Sequence, residues 1–195
     1  ALVILGPAEP SPPIQEMLMA FVTGGGGLVC CSPGEHFAAT MGLVSRKLGV
    51  ADGRMKISIE GFPDHGLPLK GWSQRYTGSK GEHAVLAPLM DADSKSTGDG
   101  AVFHIRMGAG NLIVLAYDVA ACVYLLRQGN PLLGGFRSSG FDRMRPSDLF
   151  QDWQMDQDSV WPVADLHCHY LRELIHRAWP DDSVLPWLWY FPDGV

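Results

Sequence analysis

The chain has no apolar run long enough to cross a membrane, and no basic opening of the kind that begins a secretory signal. It also lacks an excess of positive charge. A formal net charge of −6 excludes nucleic acid as a natural partner. Cysteine is scarce, four in 195 residues, and two of the four, Cys30 and Cys31, are neighbours. Adjacent strand residues point to opposite faces, so this pair marks a buried strand and no disulfide framework. Those features lean towards a reducing, cytoplasmic setting. No internal repeat, low-complexity tract or His-x-Glu sequence occurs anywhere. An initiating methionine is missing too. The chain opens inside one apolar run and closes on another at residues 188–195, as expected of a piece cut from a longer protein.

What is present is organised around residues 1–34. Residues 1–5 are unbroken apolar, as in a parallel strand covered on both faces. Ser11 suits an N-cap, with Pro12 at the first helical position, where its missing N–H costs nothing. Ile14, Met17, Leu18, Phe21 and Val22 then make one helical stripe. The glycine run 24–27 stops that helix, and residues 28–31 are sized for a second central strand. A right-handed β-α-β unit follows. Ligands of such sheets bind beyond the carboxyl ends of the strands. Those ends hold Glu9 on one side and Ser32, Glu35 and His36 on the other.

Residues 35–48 carry Phe37, Met41, Val44 and Leu48 at helical spacing, closed by Gly49. Residues 55–60 alternate, with Met55, Ile57 and Ile59 inward, which predicts a half-exposed strand. Short strands are expected near 72–77 and 84–89, with a polar loop over 91–100. Strands over 101–107 and 111–117 flank Gly108-Ala109-Gly110, a hairpin signal. The second of these ends in Asp118, another polar group at a strand's carboxyl end. Helices are expected over 120–127 and 162–179, with an irregular stretch over 134–158. The tryptophans at 153, 161, 179, 187 and 189 are expected to serve packing, and His104 to face a loop or solvent.

Several motifs have chemical meanings to weigh. Asp165-Leu166-His167-Cys168-His169 has the D-x-H-x-H spacing with which metal-dependent hydrolases hold an ion on a strand. Its surroundings repeat with helical period, and residues two apart on a helix lie about 200° apart. His167 then falls on the apolar face with His169 opposite, and the two do not chelate. His169, Glu173 and His176 share a helical face and read as a solvated stripe. The glycine run follows a helix and precedes a strand, the reverse of a phosphate loop. Neither a metal nor a cofactor is expected.

Cys30-Cys31-Ser32-Pro33-Gly34 is the most chemical stretch. It sits where α/β hydrolytic and amidotransfer enzymes keep a nucleophile on a sharp strand-to-helix turn. Ser32 has small residues two positions away on each side, yet an oxyanion hole uses the N–H of the following residue, and Pro33 has none. Cys31 keeps that N–H, from Ser32, but has Val29 and Pro33 where small residues are wanted. Neither makes a good elbow.

Residues 1–6, the 14–22 helix, the glycine run, residues 28–32 and the Gly108-x-Gly110 strand ending in Asp118 together resemble the class I glutamine amidotransferase-like fold. The likeness is to its non-amidotransferase branches, the trehalose-utilisation-type proteins and the middle domain of bacterial β-galactosidases, and it covers residues 1–130. Residues 160–195 are similar to a connector that precedes polysaccharide-deacetylase-like domains. The resemblance implies a three-layer, flavodoxin-like α/β domain, mostly parallel with an antiparallel extension, over residues 1–195. Working members carry G-x-C-x-G and a later H-x-E, and both are missing here. The expectation is therefore a non-catalytic module for scaffolding, interaction or carbohydrate sensing. Its partners would be other domains of the same polypeptide or a second copy. The alternative is a hydrolase acting on an amide or sugar through Cys31 or Ser32 with His36 nearby. Glu9, Glu35 and Asp118 are the binding candidates, although Glu9 and Glu35 also suit the positive ends of helices.

Overall fold

A computed structural model describes residues 1–59, 62, 66–78, 83–128 and 163–179. The chain begins with β1 (Leu2–Leu5), α1 (Pro12–Thr23), β2 (Gly27–Cys31), α2 (Glu35–Thr40) and β3 (Leu43–Ser45). Six short or medium strands follow: β4 (Val50–Ala51), β5 (Arg54–Met55), β6 (Leu67–Pro68), β7 (Trp72–Ser73), β8 (Tyr76–Gly78) and β9 (His83–Met90). A long hairpin of β10 (Ser96–Met107) and β11 (Gly110–Leu115) then leads to α3 (Val119–Gln128), and α4 spans Val163–Ala178.

The opening unit forms as its sequence dictates. β1 and β2 are parallel, with Leu2 opposite Gly27 and Leu5 opposite Cys30. β11 lies parallel on the other flank of β2. Beyond it the main sheet runs β10, β9, β5 and β6, all antiparallel, with β8 joined to β10 and β3 to β8. The fold is thus a mixed α/β sheet in which parallel pairing is confined to β1, β2 and β11. β4 and β7 make a separate antiparallel pair.

All five residues of β2 are buried, which identifies it as the central strand. Its side chains divide between two cores. Leu28 and Cys30 pack with Leu18 and Val22 of α1 and Phe37 of α2. Val29 and Cys31 face Cys122 of α3 and Leu166, Tyr170 and Leu174 of α4. None of the four cysteines is in a disulfide, as the adjacent pair led us to expect. Each fully buried Leu or Val contributes roughly 1.5–3 kcal/mol, so a strand covered on both faces anchors the fold.

Several expectations need correction. β1 is an edge strand and is not covered on both faces, since Ile4 is 54% exposed. In α1 the buried side chains are Gln15, Leu18 and Val22, while Ile14 and Met17 point to solvent. The stripe is rotated because Gln15 turns inward to bond Glu9 and the Pro10 carbonyl. The helix expected over 35–48 ends at Thr40. Gly42 takes a left-handed φ of 76° and turns the chain into β3, where β-branched Val44 pairs with Thr77. Val44 and Leu48, expected on its apolar face, are exposed. The strand expected over 55–60 is only Arg54–Met55, although Met55 and Ile57 are buried as the alternation required. The polar loop over 91–100 is shorter than expected, a turn closed by Asp91, because β10 already begins at Ser96. His104 is half-buried and pairs with Asn111 at 3.0 Å across the hairpin. Residue 60, the 134–158 stretch, the tryptophans at 153, 161, 187 and 189, and most of the expected connector lie outside the described residues.

Candidate functional site

The sequence candidates converge on one edge of the sheet, where β2 and β11 end. The turn after β2 shares one backbone feature with a nucleophile elbow, a positive φ at the strand-to-helix corner. Ser32 adopts a left-handed φ of 44°, a strained conformation for a non-glycine residue. Its N–H donates to the Leu115 carbonyl at 2.7 Å, tying the turn to the end of β11. The side chains around it are committed to other work. The Tyr76 hydroxyl donates to the Pro33 carbonyl, so its proton is spent beside the turn. Burial pushes the Tyr76 phenol well up from its ordinary range, with Cys30 and Glu9 adding to the rise. Among the described residues no hydrogen bond joins the Ser32 hydroxyl to a base.

Cys31 is 4% exposed. Burial pushes its thiol up to about 11; the Val119 N–H pulls the other way and Asp118 raises it further. An activated thiolate needs the opposite surroundings, an exposed and electropositive pocket. Cys30, on the other face, is pushed up to about 12, mainly by burial. His36 is exposed on the first turn of α2, and among the described residues no hydrogen bond joins it to Cys31 or Ser32.

The space for an oxyanion is also filled. Pro33 offers no N–H, and the Gly34 N–H donates to the Ala8 carbonyl at 3.0 Å. The Phe37 N–H, near the start of α2, donates to Glu9 Oε1 at 3.0 Å. Glu9 thus caps a helix from a different loop, while the same carboxylate accepts from Gln15 Nε2 at 2.9 Å. Gly34 is required for this approach, because a Cβ there would collide with the Glu9 carboxylate. Asp118 has an equivalent duty: its Oδ1 accepts from the N–H groups of Ala120 and Ala121 at 3.0 and 3.1 Å and caps α3. Glu35 lies exposed in the first turn of α2, where its charge suits the positive helix end.

A second polar cluster lies on the opposite face of the sheet. His167 on α4 is fully buried. Its Nε2 meets the Pro68 carbonyl at 2.8 Å, which fixes the proton there and leaves Nδ1 to accept from the Tyr117 hydroxyl at 3.1 Å. Cys122 Sγ lies 3.7 Å from Nε2 and accepts from the Lys70 N–H at 3.2 Å. Burial lowers the imidazole to about 4 and raises the Cys122 thiol to about 12. The cluster is sealed and neutral. His169 is exposed on the other side of α4, as the helical reading of the D-x-H-x-H motif required. Among the described residues, no three His, Cys, Asp or Glu side chains are grouped to hold a metal ion. A concavity of about 380 Å³ lined by Arg106, Gly108, Ala109, Gly110 and Asn111 lies at the β10–β11 turn, away from the strand tips.

No family model and no curated protein sequence matches the chain. Solved structures do resemble it. An exo-β-1,4-mannosidase from Opitutaceae bacterium strain TAV5 is 20% identical over 62% of this chain and 21% of its own, with a TM-score of 0.45. A β-galactosidase from Bacillus circulans sp. alkalophilus is 15% identical over 60% of this chain and 20% of its own, with a TM-score of 0.46. A cytoplasmic protein from Salmonella typhimurium LT2 is 14% identical over 86% of this chain and 61% of its own, also at 0.46. The chain spans about a fifth of the length of the two glycosidases. No described helix is long and apolar enough to cross a membrane.

Proposed function

We propose that this chain is a non-catalytic, amidotransferase-like α/β module with flavodoxin-like layering, working within a larger, carbohydrate-related protein. One observation carries the reading: the elbow after β2 is occupied by the chain's own groups. Glu9 holds the N–H at the start of α2, Ala8 holds the Gly34 N–H, and Leu115 holds the Ser32 N–H. A nucleophile with no base and no oxyanion donors lacks the two largest contributions to acyl transfer. The carbohydrate association rests on the sequence phrases shared with β-galactosidase middle domains. Partner contact through the β1 edge is supported by the lack of a second strand partner for β1 among the described residues and by the exposed Ile4 side chain on it. Other domains of the same polypeptide, or a second copy, would supply the covering surface.

The test is an assay for hydrolysis of glutamine and of an activated ester by the purified chain. The reading expects rates equal to those of a Ser32→Ala and a Cys31→Ala variant. Turnover that disappears in either variant overturns it and favours the second reading, a hydrolase for an amide or sugar. The left-handed backbone at Ser32 is what favours that alternative.

A further inference from the structure

Two arginines are brought together at the sheet edge by strand pairing. β3 and β8 are antiparallel, with Ser45 opposite Tyr76, and the next rung joins the Arg46 N–H to the Arg75 carbonyl at 2.9 Å. Like charges in such positions repel. Asp99 of β10 resolves the conflict: Oδ1 accepts from Arg46 Nε at 2.7 Å and Oδ2 from Arg75 Nε at 2.5 Å. The carboxylate is fully buried, while the Arg46 side chain is 50% exposed and that of Arg75 25% exposed. Two positive charges on one negative leave a local surplus of one, in a chain whose formal net charge is −6.

The donors are also in surplus. Arg75 spends one terminal nitrogen on the Thr97 carbonyl at 3.2 Å. Both terminal nitrogens of Arg46 and the other one of Arg75 have no protein acceptor among the described residues. Anchoring through Nε, with a second bond to Thr97 for Arg75, leaves terminal N–H groups free to receive an oxyanion through paired bonds. We propose that Arg46 and Arg75, oriented by Asp99, form a binding site for an oxyanion, a carboxylate or a phosphate group on a ligand. The site is separate from the Ser32 turn and does not depend on whether that turn is reactive.

The test follows the arginine Nε–Hε resonances of the full chain by ¹⁵N NMR. Inorganic phosphate, sodium acetate and sodium chloride are titrated in parallel at matched ionic strength. The proposal expects the Arg46 and Arg75 signals to move saturably with phosphate or acetate and not with chloride. The stronger of the two oxyanions identifies the ligand class. Arg46→Gln removes the surplus charge and two of the free nitrogens, and should weaken binding at least about tenfold. Arg46→Lys should restore part of it. Signals that drift linearly with every salt overturn the proposal in the wild-type chain alone, whatever the variants do. So does unchanged binding by Arg46→Gln, and either result leaves Asp99 as a clamp between strands.

Discussion

Acidification should unlock α4 from the sheet, and the size of the effect follows from His167. In the fold this imidazole donates to the Pro68 carbonyl and accepts from Tyr117, with Cys122 beside it. Burial holds its pKa near 4, below the ordinary value of 6.5 that it regains on unfolding. Between those values the unfolded chain binds the proton and the folded chain does not. Stability from this group is therefore complete above about pH 6.5 and falls as pH drops towards 4. The full loss below pH 4 is roughly 3 kcal/mol, of which roughly 2 kcal/mol disappears between pH 7 and pH 5. Urea unfolding of the wild type and of His167→Gln at both pH values measures it, because the difference between the proteins cancels the other histidines. The wild type should lose roughly 2 kcal/mol more than the variant. An NMR titration of His167 gives the same answer without a variant. Equal pH dependence in the two proteins, or a His167 midpoint at or above 6, would refute the assignment of a sealed, neutral imidazole.

Three further outcomes follow from the sheet edge. Gly34→Ala should displace the Glu9 carboxylate, release the Phe37 N–H and cost about 1–2 kcal/mol in urea unfolding. Asp118→Ala should cost about 1 kcal/mol by removing the α3 cap, with Asp118→Asn recovering most of it. Tyr76→Phe should cost about 1–2 kcal/mol, since the Pro33 carbonyl is left buried without its donor.

The parts of the fold that were legible in the sequence are those decided by short-range pattern. The apolar run 28–31 and the glycine run before it were enough to place a buried strand after a helix. Helical period around residues 163–178 was enough to put His167 inward and His169 outward, against the metal motif they spell. Where period competed with pairing, it misled. Val44 and Leu48 fit a helical face, but a left-handed Gly42 and a partner in β8 made residues 43–45 a strand. The edge position of β1 was illegible, because an apolar strand reads the same whether or not a neighbour covers it. Position along the chain did indicate that Glu9, Ser32, His36 and Asp118 would gather near the strand ends. It gave no sign that Glu9 would cap α2, 28 residues away, or that Asp99 would reach Arg46, 53 residues away. Such contacts are made by tertiary packing and leave no local signature. The Pro33 in the turn was the one local clue that the elbow lacks a donor.

Alkylation of Cys31 tests the closed elbow most directly. The folded protein is treated with iodoacetamide across a range of pH, and modification is read by mass spectrometry at each cysteine, with exposed Cys168 as the internal reference. A thiol buried and held near 11 should stay unmodified at pH 8 while Cys168 reacts, and should react only once the chain is unfolded. Rapid alkylation of Cys31 at pH 7 in the folded state would contradict the account, for it would reveal an open turn and an ionised nucleophile at its base.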